Sequence, residues 1–218
     1  MGRLLNSWRG RFDDRSKRFA VRELVGKESA PRSRKWSCPV RLNQGTSYAC
    51  TGFAMVHALA SAPRRIPDPS KSLAFKLYQA AKLKDRWEGE NYDGTSVLAV
   101  AKVAKELGFF DEYRWGFSLG DLVKAVLEVG PVVVGMKWDR GFQNPDRWGQ
   151  AHVSGVDNGR HAVAAIGVDL DREQIVFVNS FGWHWGKAGC FRVSFEDMEI
   201  VIRSGVEMCV PVVKPAAR

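Results

Sequence analysis

The spacing of apolar residues changes at Gly130–Pro131, and this change limits the fold more than any other feature. Before it, apolar residues recur three and four positions apart, the period of an amphipathic helix. Leu73, Leu77, Ala80 and Ala81 mark one helix over roughly 72–84, capped by Ser70 or Ser72. Val97, Val100, Ala101 and Ala104 mark a second over 96–107, ended by Gly108, and Leu119, Leu122, Val123, Val126 and Leu127 a third from Ser118 to about 129. After Pro131 the apolar runs are short and β-branched, as buried strands are: Val132–Met136, His161–Val168, Gln174–Asn179, Gly189–Ser194 and Glu207–Val213. Glu196–Ile202 reads as a short helix or a strand edge. Helices first and antiparallel strands second predict an α+β fold in two lobes. The expected organisation is a basic arm over 1–36, a mainly helical lobe over about 37–130, a mainly β lobe over about 131–213, and a tail at 214–218. The loop Trp87–Ser96 and the Gly-rich stretch 139–159 link these elements.

The composition, 45% hydrophobic and 26% charged over 218 residues, is that of a globular chain. No run approaches the roughly 18 apolar residues of a membrane span, so no membrane partner is expected. The N-terminus carries no apolar signal-peptide core, which predicts a cytoplasmic or virion-associated protein. Four dispersed cysteines and four dispersed histidines form neither a disulfide framework nor a metal-ligand pattern. No cofactor and no metal are expected. The net charge of +9 is concentrated in residues 1–40, with eleven Lys/Arg against four Asp/Glu. Such an arm suits an anionic partner, although no basic–aromatic interleaving follows it along the body of the chain.

The chemistry is concentrated in Gln44–Ala60, QGTSYACTGFAMVHALA. A polar, turn-prone run leads into a helix bearing Phe53, Met55, Val56, Leu59 and Ala60, with Thr46 and Ser47 as candidate N-caps. Cys50 falls in its first turn, where the positive end of the helix dipole favours the nucleophilic thiolate. Gln44, six residues upstream, can present an amide donor to an oxyanion formed beside that sulfur. A nucleophilic thiol needs a base, and the base an orienting group. His161 opens one strand-like run and Asn179 ends the next. If those runs are neighbouring antiparallel strands, the two residues meet at one end of the sheet. There the Asn179 amide oxygen accepts the His161 Nδ1–H and leaves Nε2 for the thiol.

Over roughly Trp36–Val213 the chain resembles the papain-like cysteine peptidases. Gln44-Gly45, with Cys50 at the same interval, is similar to the family's Gln-Gly-x-Cys-Gly-Ser-Cys-Trp. His161-Ala162-Val163 with Gly167 is similar to its His-Ala-Val…Gly. Asn179-Ser180-Phe181-Gly182 with Trp185-Gly186 is similar to its Asn-Ser-Trp-Gly…Trp-Gly. The resemblance implies a helical N-terminal lobe, an antiparallel sheet or barrel in the C-terminal lobe, and a cleft between them. It implies a cysteine endopeptidase acting on polypeptide substrates through a Cys50–His161–Asn179 triad and a thioester acyl-enzyme. Gln44 and the Cys50 N–H form the oxyanion hole, and Trp185 shields the His161–Asn179 hydrogen bond. Asp93 and Gly94 correspond to the edge that holds substrate backbone, and Gly135 to the lining of the main specificity pocket.

Departures from the family pattern bear on the cleft. Ser47 stands for a disulfide cysteine, Thr51 and Phe181 for tryptophans, and Arg160 for the Asp or Asn usually found before the histidine. A cation at Arg160 is expected to disfavour the adjacent imidazolium or to recruit acidic substrate groups. The short arm resembles the leaders of bacterial or bacteriophage members. Two alternatives stand beside the peptidase: a catalytically silent binding or virion-structural protein on the same fold, and a thiol amidase or peptidoglycan hydrolase.

Overall fold

Helix α1 (Cys50–Ala60) is buried along its whole length, all eleven residues. A helix apolar on every side must be surrounded. Helices α2 (Lys71–Lys84) and α3 (Val97–Glu106) flank it on one side and a sheet on the other. Close approach of α1 and α2 depends on Gly52, where a Cβ would lie 2.2 Å from the Ala74 carbonyl oxygen. The computed structural model describes residues 14–25, 32–85 and 93–213. Parts of the expected arm (1–13 and 26–31), residues 86–92 of the expected loop and the tail 214–218 lie outside the described residues.

Before Gly130, three of the described helices begin at serine caps: Ser70, one of the two expected, Ser118, where a helix start is expected, and Ser96, at which the sequence reading gives no cap. Ser70, Ser96 and Ser118 accept from the backbone N–H groups of Leu73, Ala99 and Asp121, starting α2, α3 and α4 (Leu119–Lys124). A π-type turn, Ala125–Val129, completes the stretch to Gly130. The caps expected for α1 do not form. Its N-cap is Ala49, with no side-chain acceptor, while the Ser47 hydroxyl donates to the Gln44 carbonyl at 2.7 Å. The loop, rather than the helix, takes that serine.

The seven strands of the described residues are β1 (Arg34–Lys35), β2 (Glu112–Gly116), β3 (Val132–Asp139), β4 (Asp157–Asp169), β5 (Gln174–Val178), β6 (Cys190–Ser194) and β7 (Val206–Val212). They pair antiparallel in the order β2-β7-β3-β4-β5-β6, with β1 added to the far end of β4. The sheet is open, which corrects the barrel alternative. Beyond β6 lies a loop, Gln150 bridging to Arg192, instead of a further strand. Strand β2 was not legible as a strand, because its short EYRWG run keeps three of five residues half exposed.

Alternation along β3 and β4 divides the core. Val133, Ala162, Ala164 and Ile166 face the helices with Phe53, Leu77 and Val100. Val132, Val134, Met136, Trp138 and Val163 face the other side, where Phe142, Phe177, Phe191 and α5 (Phe195–Arg203) cover them. Val21 of the N-terminal segment is buried in that second cluster, and Arg114 pairs with Glu23 at 2.9 Å. No helix among the described residues is long and apolar enough to cross a membrane.

Candidate active site

His161 does not open its strand. Strand β4 begins four residues earlier, in the polar run Asp157-Asn158-Gly159-Arg160, whose exposure hid it from an apolar pattern. His161 therefore pairs with Met136 inside the sheet and is only 1% exposed. Asn179 follows β5 immediately, and the β4–β5 hairpin register brings the two side chains together at one end. Their contact is 2.7 Å, from His161 Nε2 to Asn179 Oδ1. This reverses the ring nitrogens expected from the sequence: Nε2 engages the amide, so Nδ1 is the nitrogen left on the other side of the ring. Asn179 Oδ1 also accepts from the Ser180 N–H at 2.7 Å, and the Asn179 N–H donates to the Gly189 carbonyl.

Ring packing fixes the imidazole. Phe181 stacks on it at 4.9 Å and 28°, and Trp138 meets it edge-on at 4.7 Å. Trp185, expected to cover the His–Asn pair, packs edge-on against Phe181 at 5.3 Å and lies 6.4 Å from Trp138. Both indoles are anchored on Gln143: Trp138 Nε1 donates to its Oε1 and Trp185 Nε1 to its backbone oxygen. Asp139 holds the start of that loop by accepting from the Gly141, Ser154 and Gly155 N–H groups and the Ser154 hydroxyl. Burial pushes the Asp139 carboxyl up, but these hydrogen bonds outweigh it and hold it below the usual range.

Gln44 is buried and doubly tied to the residue after Asn179. Its N–H donates to the Ser180 carbonyl at 2.9 Å, and its Oε1 accepts from the Ser180 hydroxyl at 2.5 Å. Its Nε2 donates to the Ser47 carbonyl. Asn43 bridges Phe181, and Gly182 (φ +80°) donates to Leu42, where a Cβ would stand 3.2 Å from the Asn43 side chain. The loop before Cys50 is thus clasped to the loop after Asn179. His57 of α1 adds a second tie, its Nε2 accepting from the Leu42 N–H at 3.0 Å. Burial, then the charge of Arg41, lowers the His57 pKa to about 3, so this imidazole is neutral.

Cys50, the first residue of α1, is fully buried. Its neighbour Thr51 lines a small cavity with His161, Gly135, Arg160, Ala162 and Glu207. That cavity of about 10 Å³ admits about one water. Glu207, not singled out from the sequence, accepts from the Val97 N–H at 2.8 Å. Burial raises its pKa to about 7, opposed by that hydrogen bond and by Arg160. Gly135 is needed beside it, because a Cβ would approach Val97 Cγ2 to 2.8 Å. Thr95 and Val97 also line this cavity. The Asp93 carbonyl accepts from the Tyr78 hydroxyl, whose pKa is pushed up to about 12 by burial, then by Asp93, Cys50 and Tyr48. All four cysteines are free thiols. Among the described residues no cluster of His, Cys, Asp or Glu could hold a metal ion.

Solved structures of similar shape are cysteine proteases. Xylellain, a cysteine protease from Xylella fastidiosa, superposes with a TM-score of 0.66 at 18% identity, covering 88% of this chain and 90% of that one. The chain has the papain-like fold. Digestive procathepsin L 3 of Tenebrio molitor gives 0.63 at 16% identity, with 87% and 72% covered. Bromelain of Ananas comosus, solved in complex with the E64 inhibitor, gives 0.59 at 19% identity, with 85% and 100% covered. No protein-family model and no curated protein matches the sequence. On this papain-like frame, sequence reasoning missed Trp138, Ser180 and Glu207. Trp138 was discoverable, since the alternation Val132, Val134, Met136 runs on to it.

Proposed function

We propose that the protein is a cysteine endopeptidase using Cys50, His161 and Asn179. The observation that carries this reading is the 2.7 Å His161–Asn179 hydrogen bond under the Phe181 ring, in a fold whose central helix begins with Cys50. The Cys50 thiolate attacks the scissile carbonyl, forming a C–S bond and an oxyanion. The Cys50 N–H and the Gln44 amide, oriented by Ser180 and Ser47, stabilise that charge. The His161 imidazolium gives its Nδ1 proton to the departing amine. The neutral imidazole then takes a proton from water as it attacks the thioester, releasing the acid and restoring the thiolate–imidazolium pair. Asn179 keeps Nε2–H engaged throughout. Gly135 and Arg160 border the side of the cleft that a substrate side chain approaches, and Asp93 and Gly94 the path of its backbone.

The test is intact mass after E64, an inhibitor bound in the bromelain structure, alongside cleavage of a fluorogenic peptide library. A single adduct on the wild type, none on Cys50→Ala, and cleavage that the same substitution abolishes are expected. Absence of both adduct and cleavage overturns the reading. The complete burial of Cys50 favours a second reading, a catalytically silent binding protein on the same fold, and that negative result would establish it.

A further inference from the structure

A second site lies among Arg41, the start of β6 and the turn before it. A cavity of about 180 Å³ is lined by Lys35, Arg41, Lys187 and Arg192, with Cys190 in its wall. Among the described residues no carboxylate lines it. Among the described residues none of the four cations forms an ion pair. Four like charges around one concavity repel one another unless an anion sits between them. Arg41 is preset for such a ligand. Its Nε donates to the Ala188 carbonyl and its Nη1 to the Cys38 and Val40 carbonyls, all neutral acceptors that leave its charge uncompensated. Burial raises the Cys190 pKa against the pull of Arg41 and Lys35, so the thiol is neutral and cancels none of it.

Two exposed tryptophans flank the same cations. Trp148, 57% exposed, lies under the Lys187 ammonium at 5.2 Å, and its carbonyl accepts from Arg192. Trp183, 58% exposed, lies under the Arg41 guanidinium at 5.6 Å. Arg147 adds a further charge over Trp148 at 4.9 Å. The nearby carboxylate of Asp146 is engaged by the Trp148 and Gln150 N–H groups. The basic–aromatic interleaving missing from the linear sequence is therefore assembled by the fold, from residues up to 157 positions apart (Lys35 and Arg192).

We infer that this face binds single-stranded nucleic acid, a backbone phosphate entering the four-cation cavity and bases stacking on Trp148 and Trp183. Cationic grooves with exposed aromatic rings bind single strands in this way, with little sequence preference. The site is separate from the proposed peptidase chemistry and does not depend on it. A sulfated polysaccharide shares the negative charge but offers no π face to stack.

The test is fluorescence anisotropy of the full chain with a labelled 12-mer of oligothymidylate, with a heparin-type polysaccharide as competitor. Expected for the wild type are binding at low salt, quenching of tryptophan fluorescence, and a negative log–log salt slope of about −0.7 for each phosphate neutralised. Lys35→Glu with Lys187→Glu should weaken binding at least about tenfold and flatten that slope. Trp148→Ala with Trp183→Ala should weaken oligonucleotide binding several-fold, leaving the slope and the polysaccharide affinity unchanged. All four side chains are at the surface, and an unchanged melting temperature checks the fold. No wild-type binding, or binding that neither double variant alters, overturns the inference. So does equal loss of both ligands in the charge variant with no effect of the tryptophan pair, which would make this a charge-only site.

Discussion

Asn179 Oδ1 lies 2.7 Å from His161 Nε2, and both residues are buried, at 0% and 1% exposure. The amide can hold only one ring orientation, because the same oxygen also accepts from the Ser180 N–H. It acts on the reaction through His161, as a positioning residue. Asn179→Ala should lower kcat about tenfold or more while changing KM little. The loss should stay below the roughly 10²–10⁴ of a missing general acid–base group, which His161→Ala should show. Steady-state kinetics on one fluorogenic peptide compares them, and equal losses in the two variants would contradict this division of roles.

Phe181 covers the imidazole face with a nearly parallel ring at 4.9 Å. Phe181→Ala opens the His161–Asn179 bond to water and removes a buried aromatic, at a cost of about 3–5 kcal/mol in stability. Phe181→Leu retains most of the volume and separates the two effects. Its melting temperature should stay near wild type while kcat falls. A kcat unchanged in Phe181→Leu would reduce Phe181 to packing.

Much of this was legible in the sequence for identifiable reasons. Ser70, Ser96 and Ser118 stood before helix-periodic runs, and local chemistry decided those ends. The meeting of His161 and Asn179 followed from two strand runs joined by a short turn. The ring nitrogen did not follow, because Trp138 and Phe181 set the imidazole's orientation and Trp138 arrives from β3. The apolar run of β3 stops at Met136 because Lys137 interrupts it, although the alternation continues to Trp138. The Ser180–Gln44 bond joins residues 136 positions apart, a distance over which no local pattern carries information.

That bond carries its own prediction. The Ser180 hydroxyl holds Gln44 Oε1 at 2.5 Å, which fixes the direction of the amide nitrogen. Gln44→Ala should reduce kcat by about 10²–10³, the usual effect of losing an oxyanion donor. Ser180→Ala keeps the donor but loosens it, and should fall between that variant and wild type. If Ser180→Ala matches wild type in kcat and in melting temperature, the hydroxyl has no positioning role.

Glu207 is a buried carboxyl with its pKa raised by burial to about 7. A raised folded pKa means the unfolded chain gives up the proton first. The neutral carboxyl is therefore favoured by folding at low pH, and that advantage is lost as pH rises from about 4.5 through 7. Glu207→Gln can still accept from the Val97 N–H and cannot ionise. Its melting temperature relative to wild type should rise between pH 5 and pH 8, read from thermal unfolding at both. A constant difference would show that Glu207 does not titrate in this range.

His57 has the opposite dependence on acid. Its folded pKa of about 3 lies far below the ordinary imidazole value of 6.5, through burial first and Arg41 second. Between those values the unfolded chain binds a proton that the folded chain refuses. Stability contributed by the neutral imidazole is thus complete above about pH 6.5 and is lost as pH falls toward 3, at roughly 1 kcal/mol per pH unit. His57→Gln offers an oxygen to the Leu42 N–H, which His57 Nε2 now accepts at 3.0 Å, and carries no titrating group. Urea unfolding of wild type and variant between pH 7 and pH 4 should show the wild type losing stability faster on acidification. The variant should be less stable at pH 7, where its fit is imperfect, and the difference should narrow or reverse by pH 4. Parallel curves would mean that the protonated imidazole is accommodated in the fold, and the tie between α1 and the loop before Gln44 would then survive acid.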